Sequence, residues 1–110
     1  MCGINGIVSS SSLEVSDIHK MNAHIVHRGP DDDGVFVENN PEFSVALGMR
    51  RLSIIDLSNG EQPMYADDKN VVIVFNGEIY NYKSLKANLI AQNVTFKTNS
   101  DTEVILKLYL

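Results

Sequence analysis

The last ten residues place the strongest constraint on how this chain can fold. Ser100 followed by Glu103 is the pattern of a capping box, which predicts that a helix begins here. Residues 104–110 are almost entirely apolar, and no Gly, Asn or Pro stops the helix before the sequence ends. A helix with so few polar side chains has to cover another surface. We therefore expect these residues to belong to a larger domain that the chain leaves incomplete.

Size and charge narrow the classes of protein further. A length of 110 residues suffices for one small domain, and 44% hydrophobic with 21% charged residues is ordinary for a globular protein. The net charge of -5 and the scattered Lys and Arg argue against nucleic-acid and membrane partners. The longest apolar run, residues 71–75, is too short for a membrane span, and no secretory leader is evident. We expect a cytoplasmic protein.

The apolar periodicity predicts a mixture of strands and helices. Strands are predicted at residues 3–8, 35–38, 44–49, 71–75 and 95–97, and helices at residues 14–26, 82–92 and from 100 onward. Residues 71–75 are the clearest buried strand, whereas residues 27–34 form a loop and residues 50–57 a short strand or an irregular segment. Ser12 or Ser16 would cap the first helix and Asn81 the second.

Cys2 is the most informative single residue. As the only cysteine it excludes an internal disulfide, and removal of Met1 is expected before a side chain this small. One residue would then carry both a thiol and a free α-amine, whose ordinary pKa of about 7.7 to 8.0 suits a base for that thiol. The alternative from position alone is a small buried residue at the start of a strand.

Several segments, in this order and spacing, resemble the class II glutamine amidotransferase domain, and within it the asparagine synthetase branch. The segments are Met1-Cys2-Gly3-Ile4-Asn5-Gly6-Ile7, His27-Arg28-Gly29-Pro30-Asp31-Asp32-Asp33-Gly34, Arg51-Leu52-Ser53-Ile54-Ile55-Asp56, Gln62-Pro63-Met64, Phe75-Asn76-Gly77-Glu78-Ile79-Tyr80-Asn81 and Ser100-Asp101-Thr102-Glu103-Val104. The resemblance covers essentially the whole chain. Sister branches that make glucosamine phosphate or phosphoribosylamine share the Cys-Gly-Ile start and the His-Arg-Gly segment. Pro30 and the segments from Arg51 and Asn76 favour the asparagine synthetase branch.

The resemblance implies a role for each matching residue. Cys2 would be the nucleophile, and the Asn76 side chain and the Gly77 backbone N–H would stabilise the oxyanion. Arg51 would bind the carboxylate of glutamine and Asp101 its ammonium group. The rest of the pocket wall would be Leu52, Ile54, Ile55 and Glu78.

Taken alone, these residues also have purely structural interpretations. Asn76-Gly77 is a strong hairpin-turn signal. Arg51 could be an exposed charge at a strand end, and Asp101 lies where a carboxylate favours a helix dipole in any protein. We assign Arg50 to solvent.

The loop at residues 27–34 is expected to be structural and close to Cys2, so His27 is not taken as a catalytic base. His19, His24 and residues 31–33 are expected to be solvated. They lack the spacing of a metal site.

The implied fold is an α+β N-terminal nucleophile hydrolase, a four-layer αββα sandwich with antiparallel sheets that is incomplete in this chain. Residues 2–110 would be a partial glutaminase domain, with glutamine as substrate and no cofactor. In complete relatives the ammonia passes to a C-terminal synthetase domain that uses ATP and Mg to convert aspartate to asparagine, with AMP, pyrophosphate and glutamate as the other products. That domain is absent from these residues, which hold no phosphate-binding glycine loop. A homodimer is possible.

Three alternatives remain open from the sequence. The chain could be an inactive fragment that acts as a binding or interaction module through residues 101–110. It could deliver ammonia to another acceptor, such as a sugar or a secondary metabolite. It could also belong to a sister branch, against which Pro30 and Ile54-Ile55-Asp56 argue.

Overall fold

A computed structural model describes residues 2–52 and 61–110 of the chain. In chain order the elements of these residues are β1 (Gly3–Ser9), α1 (Val15–Ala23), a 3₁₀ helix (Val26–Arg28), β2 (Asp32–Asn39), β3 (Ser44–Arg51), β4 (Met64–Tyr65), β5 (Val72–Ile73), α2 (Tyr82–Ala91) and α3 (Asp101–Tyr109). The strands form antiparallel sheets, which confirms the predicted α+β class. The four-layer arrangement stays a prediction.

The larger sheet has the strand order β1-β3-β2, with β3 in the centre. Gly3 pairs with Arg50 on one side of β3, and Asp33 pairs with Arg50 on the other. Because β3 extends to Arg51, β2 finds a partner from Asp32 onward and begins three residues before the predicted strand at residues 35–38. The predicted loop at residues 27–34 is therefore wrong at both ends, since a 3₁₀ helix occupies its start.

Helix α1 covers one face of this sheet and is fastened to it by a buried asparagine. Asn22 is 2% exposed. Its Oδ1 accepts a hydrogen bond from Asn5 Nδ2 at 2.7 Å, and its Nδ2 donates to the carbonyls of Gly34 and Met49 at 3.2 and 3.4 Å. These partners belong to β1, β2 and β3 in turn. A single buried amide thus satisfies its polar atoms while holding the helix to all three strands.

The smaller sheet pairs Met64 with Ile73 and Tyr65 with Val72. Helix α3 packs against β5, and α2 packs against α3. Val104 and Leu106 of α3 are 0% and 2% exposed. The apolar start of the last helix therefore finds a surface within the described residues, as its composition required.

The two sheets approach each other where β2 meets the segment that leads into β4. A Cβ atom at Gly34 would overlap the carbonyl oxygen of Gln62, so only glycine permits this contact. Two residues after Gly34 in β2, the ring of Phe36 meets the ring of Tyr65 in β4 edge to face, with centroids 6.1 Å apart. The Gln62–Pro63 peptide bond is cis.

Two predicted strands differ from the structure because side chains take up their backbone N–H groups. Strand β5 covers only Val72–Ile73 of the predicted 71–75, and the N–H of Phe75 donates instead to Gln62 Oε1. The predicted strand at residues 95–97 is wrong, since this segment is irregular and the N–H of Lys97 donates to the Glu103 carboxylate.

The helix starts are partly as predicted. Glu14, rather than Ser12 or Ser16, precedes α1, and its N–H donates to Asp17 Oδ2 at 2.9 Å. Asn81 precedes α2 as predicted, but within the described chain its side chain makes no capping bond.

Ser100 caps α3 by accepting from the N–H of Thr102 at 3.1 Å. The Glu103 half of that capping box is wrong, since the N–H of Ser100 donates to Thr98 Oγ1.

Candidate active site

Cys2 lies immediately before β1, half-buried, with its backbone held by an arginine. The Nε and Nη2 atoms of Arg28 each donate to the Cys2 carbonyl oxygen at 3.2 Å. The Cys2 Sγ atom lies 4.0 Å from the carbonyl oxygen of Leu52, just beyond the end of β3. Two charge-assisted hydrogen bonds to one oxygen hold that oxygen in place. The Arg28 side chain therefore fixes the backbone of Cys2, while the half-buried thiol stays accessible.

The segment that follows Arg28 packs against the end of β3. A Cβ atom at Gly29 would overlap the backbone of Arg50 and Arg51, so glycine is required for this approach. Arg50 Nε donates to the Gly29 carbonyl at 2.8 Å. The segment thus has structural contacts beside Cys2, as the resemblance implied.

Arg50 does not extend into solvent as predicted. Its side chain is 15% exposed, and its Nη1 lies 3.8 Å from Asp33 Oδ2. The same carboxylate oxygen lies 3.9 Å from His19 Nδ1, so Asp33 is more than a solvated charge. Arg50 belongs to the structure that supports the site.

Arg51 and Leu52 lie next to Cys2. The β1–β3 register pairs Gly3 with Arg50, so Arg51 follows at the point where Cys2 precedes the strand. Arg51 is half-buried, and its carbonyl accepts from the N–H of Asp31 at 3.1 Å. Leu52 is 39% exposed. The predicted pocket residues Ile54 and Ile55 lie outside the described residues.

Asn76 and Gly77 lie in the irregular segment between β5 and α2. The hairpin interpretation of this dipeptide is wrong, because the chain continues into a helix rather than a second strand. A Cβ atom at Gly77 would come within 2.9 Å of Cζ in the Phe75 ring. Asn76 is half-buried and Gly77 exposed. The backbone of Gly77 is thus accessible, with the Phe75 ring packed close beside it.

Asp101 is the first residue of α3 and reaches across to the Asn76–Gly77 segment. Its Oδ2 atom accepts from the backbone N–H of Ile79 at 2.9 Å. The position at a helix start also favours a negative charge. Asp101 therefore has a helix-dipole role and a cross-linking role together, and as an acceptor with two oxygens it retains capacity for a ligand.

A cavity of about 500 Å³ brings three of the predicted residues together. Its lining consists of Gly77, Glu78, Ile79, Tyr80, Tyr82, Asn99, Ser100 and Asp101. This volume lies in the range of about 300 to 1,000 Å³ that suits a small molecule. Cys2 contacts Leu52 at the end of the larger sheet. That Cys2 and the cavity residues Gly77, Glu78 and Asp101 form one glutamine site stays a prediction.

Sequence reasoning missed several neighbours of the site. The sequence predicts neither the Arg28 clamp on Cys2 nor a role for the cavity residues Tyr80, Tyr82 and Asn99. The sequence marks Gln62 only as part of the Gln62-Pro63-Met64 segment, although its side chain accepts from the N–H of Phe75, the residue before Asn76. The Gln62-Pro63-Met64 motif is the only sign in the sequence that Gln62 matters, and a motif does not show which residues its side chains bind.

Neither a metal group nor a membrane helix is found in the part of the chain that is described. Across residues 2–52 and 61–110, no three His, Cys, Asp or Glu side chains are grouped to hold a metal ion. None of the helices in those ranges combines the length and apolarity needed to cross a bilayer.

The similarity of this chain to known proteins extends over its whole length. A family model described as a glutamine amidotransferase domain matches residues 1–110. The chain is 48% and 43% identical to asparagine synthetases (glutamine-hydrolyzing) 1 and 2 of Bacillus subtilis, and 42% identical to asparagine synthetase (glutamine-hydrolyzing) 2 of Oryza sativa subsp. japonica. Each match covers 99% of this chain but only 17%, 14% and 18% of the respective relative. The chain thus spans less than a fifth of these relatives.

Proposed function

Because the chain belongs to the family of glutamine amidotransferase domains, we propose that it hydrolyses glutamine to glutamate and ammonia with Cys2 as the nucleophile. The observation that carries this proposal is the setting of Cys2. Its carbonyl is clamped by Arg28 while its half-buried thiol lies at the end of β3, beside Leu52. A nucleophile needs this combination of a fixed backbone and an accessible reactive atom.

In the first step the α-amine of Cys2, freed by removal of Met1, takes the thiol proton. The thiolate attacks the side-chain amide carbon of glutamine, a C–S bond forms, and the carbonyl oxygen becomes an oxyanion. The Asn76 amide and the Gly77 N–H are the proposed donors to that oxyanion. Loss of one such donor typically lowers the rate by about 10² to 10³.

In the second step the C–N bond breaks, and the departing nitrogen takes the proton from the α-ammonium group and leaves as ammonia. Water then attacks the thioester carbon and gives a proton to the amine. The C–S bond breaks, glutamate leaves, and the thiolate is protonated again. The amine carries both protons: the one from sulfur leaves with ammonia, and the one from water returns to the thiolate, so the proposed steps balance without a cofactor.

Recognition of free glutamine requires a positive group for its α-carboxylate and a negative group for its α-ammonium. The planar fork of Arg51 suits the α-carboxylate. Asp101 suits the α-ammonium, and its bond to the Ile79 N–H supports this by fixing the carboxylate at the rim of the cavity. Leu52, Ile54, Ile55 and Glu78 are proposed as the remaining wall.

The relatives' names suggest what becomes of the ammonia. We assign this chain to the glutaminase part of an asparagine synthetase, in which a further region would use ATP, Mg and aspartate. The share of 14 to 18% of the relatives' length leaves room for such a region in a longer protein. The proposal includes the four-layer αββα sandwich, a cytoplasmic location and a possible homodimer.

Glutamate release from glutamine tests the proposal with two complementary variants. Cys2→Ala keeps the amine and removes the thiol, whereas an alanine inserted before Cys2 keeps the thiol and moves the amine. Both should abolish turnover, since each removes one half of the proposed chemistry. A glutamine analogue with an electrophilic carbon in place of the amide should add one mass increment to Cys2 in the parent only.

The exposed residue His24 offers a control, and His24→Ala should keep parental turnover. An intact mass that shows Met1 removed is required for the parent. Turnover that survives Cys2→Ala would overturn the proposed function.

One observation favours a second candidate, an interaction module. Leu108, Tyr109 and Leu110 at the end of α3 are 50%, 76% and 63% exposed. If the parent releases no glutamate and light scattering shows that it self-associates through these residues, this candidate replaces the first. The variant Leu108→Ser would then restore the monomer.

A further inference from the structure

We propose that Gln62 is a positioning residue whose side-chain amide holds the Asn76–Gly77 segment and the first turn of α3 in one arrangement. The inference rests on the proposed function, since it concerns the geometry of that same site. The hydrogen bonds of the Gln62 side chain go to Phe75 and Thr102 rather than to the proposed oxyanion donors. It acts through Phe75 and Thr102, the neighbours of Asn76 and Asp101.

Both ends of the Gln62 carboxamide are engaged. Its Oε1 accepts from the backbone N–H of Phe75 at 2.6 Å, and its Nε2 donates to Thr102 Oγ1 at 3.4 Å. Thr102 is 3% exposed and Gln62 is half-buried. An amide suits this place because it offers an acceptor and a donor on one rigid plane. An apolar side chain of the same size would satisfy neither partner.

These bonds close a circuit that includes Ile79 and Asp101 of the cavity lining. From Gln62 the circuit passes to Phe75 and along the backbone to Ile79. The N–H of Ile79 then donates to Asp101 Oδ2 at 2.9 Å, and the next residue, Thr102, leads back to Gln62. The ring of Phe75 also lies against Gly77, so movement of Phe75 would move the proposed oxyanion donor.

The backbone of Gln62 anchors this circuit to the larger sheet. Its carbonyl oxygen packs against Gly34 so closely that a Cβ atom there would overlap it. Gly34 is part of β2, in the sheet whose strand β1 begins directly after Cys2. Gln62 therefore lies on the path that connects the proposed nucleophile with its proposed oxyanion donors. A displacement of about 1 Å between such groups can cost about 10²-fold in rate.

The two bonds predict different kinetic defects. The bond to Phe75 positions the proposed oxyanion donors. Because these donors interact with the oxyanion only in the transition state, loss of the Phe75 bond should lower kcat. The bond to Thr102 sets the helix that carries Asp101, which would bind substrate from the start, so its loss should raise KM for glutamine. A residue needed only for folding would change the amount of active protein and neither constant.

The test compares Gln62→Met, Thr102→Val and Gln62→Glu in the glutaminase assay. Gln62→Met should lower kcat about 10- to 100-fold and raise KM. Thr102→Val should raise KM more than it lowers kcat. Gln62→Glu keeps an acceptor for the Phe75 N–H and should recover part of kcat. Gln92→Met makes the same chemical change at an exposed position after α2 and should match the parent.

Amide hydrogen exchange supplies a readout that needs no activity. In Gln62→Met the amides of Phe75 and Ile79 should exchange at least tenfold faster than in the parent, whereas amides of β3 should be unaffected. Parental kcat and KM in Gln62→Met, within twofold, would overturn the inference while Cys2-dependent turnover upheld the proposed function. If the parent shows no Cys2-dependent turnover, the proposed function fails, and exchange alone decides whether Gln62 holds this arrangement. Should Gln62→Met not fold, Thr102→Val decides instead, because it removes one of the two bonds at the partner residue; a KM for glutamine within twofold of the parent would then overturn the inference.

Discussion

At the scale of single residues, one guanidinium controls the setting of the proposed nucleophile. Arg28 donates two hydrogen bonds to the Cys2 carbonyl from a position 26 residues away in sequence. Its aliphatic stem also packs beside Gly3, where a Cβ atom would come within 3.3 Å of Arg28 Cβ. The aliphatic stem and the guanidinium of Arg28 therefore have different structural roles. The stem supports the start of β1, and the charged group orients Cys2.

Arg28→Lys separates these contributions. Lysine keeps the aliphatic stem but has no planar fork, so we expect the fold to survive and the bidentate clamp to be lost. A hydrogen bond to a charged group is worth about 1.5 to 3 kcal/mol. Since about 1.4 kcal/mol is tenfold in rate, glutaminase kcat/KM should fall at least tenfold. Thermal unfolding checks the fold, and a variant with parental kinetics would show that the clamp has no part in catalysis.

At the scale of elements, a buried carboxylate organises the approach to α3. Glu103 is 4% exposed and accepts from the N–H of Lys97 at 2.9 Å, the N–H of Thr98 at 2.7 Å and Thr98 Oγ1 at 2.7 Å. Backbone donors that a strand would have paired are satisfied by a side chain instead. The irregular segment before α3, and with it the place of Asp101, follows from this one acceptor.

A charge cluster, exposed at Asp67 and Lys97, ties the β4–β5 turn to the same region. Asp67 Oδ1 lies 2.7 Å from Lys97 Nζ, and Asp67 Oδ2 lies 3.5 Å from Lys107 Nζ on α3. The hydrogen bond from Lys97, followed by the charge of Lys107, lowers the pKa of Asp67. The bond with Asp67 in turn raises the pKa of Lys97. Both shifts favour the charged forms of Asp67 and Lys97 at neutral pH.

The stability that this cluster contributes should depend on pH with a definite sign. The folded-state pKa of Asp67 is lowered, so its contribution is present above the ordinary value of 3.8 and is lost as pH falls through the folded value. The raised pKa of Lys97 means that the contribution is also lost as pH rises past the ordinary value of 10.5 and through the folded value.

Urea unfolding of the parent and of Asp67→Asn at several pH values tests the predicted pH dependence. The difference in their free energies of unfolding should be largest near neutral pH, shrink at low pH and shrink again in high salt. A difference that is constant across pH would contradict the assignment of the cluster.

At the scale of the whole molecule, two sheets are held together through a glycine. Gly34 of β2 admits the Gln62 carbonyl, and the neighbouring Phe36 and Tyr65 rings meet edge to face. Helix α1 and the larger sheet lie on one side of this contact, and the smaller sheet with α3 lies on the other. The relative placement of Cys2 and the Asn76–Gly77 segment therefore depends on a contact that neither segment makes.

Gly34→Ala and Gly6→Ala form a matched pair, since both positions face β3 in the same sheet. At Gly34 a Cβ atom would overlap backbone, and we expect a loss of about 1 to 3 kcal/mol or more. At Gly6 the nearest atoms would be Leu47 Cδ2 at 3.6 Å and the Ala46 oxygen at 3.8 Å, ordinary contact distances. Gly6→Ala should leave the urea midpoint unchanged or slightly higher. Equal losses in both variants would show that the sheets do not meet at Gly34.

The sequence by itself determined the features that depend on neighbouring residues. The strands at β1 and β3, the buried Ile18 of α1, and the cap at Ser100 all match the apolar period or the local capping chemistry. The motifs from Cys2 to Asp101 also identified the family that the comparison confirms. Period and caps are read over a few residues, so no knowledge of the tertiary fold is needed.

Only the tertiary structure decided which partner each polar group takes. Phe75 donates to Gln62, 13 residues away, and Gln62 donates to Thr102, 40 residues away. Arg50 was expected in solvent and instead binds Gly29. A backbone N–H or a guanidinium can be satisfied equally well by a strand, a side chain or water. Which one it meets is set by the packing of segments far apart in sequence. Here that choice ends β5 at Ile73 and leaves irregular the backbone that leads into Asn76 and Gly77.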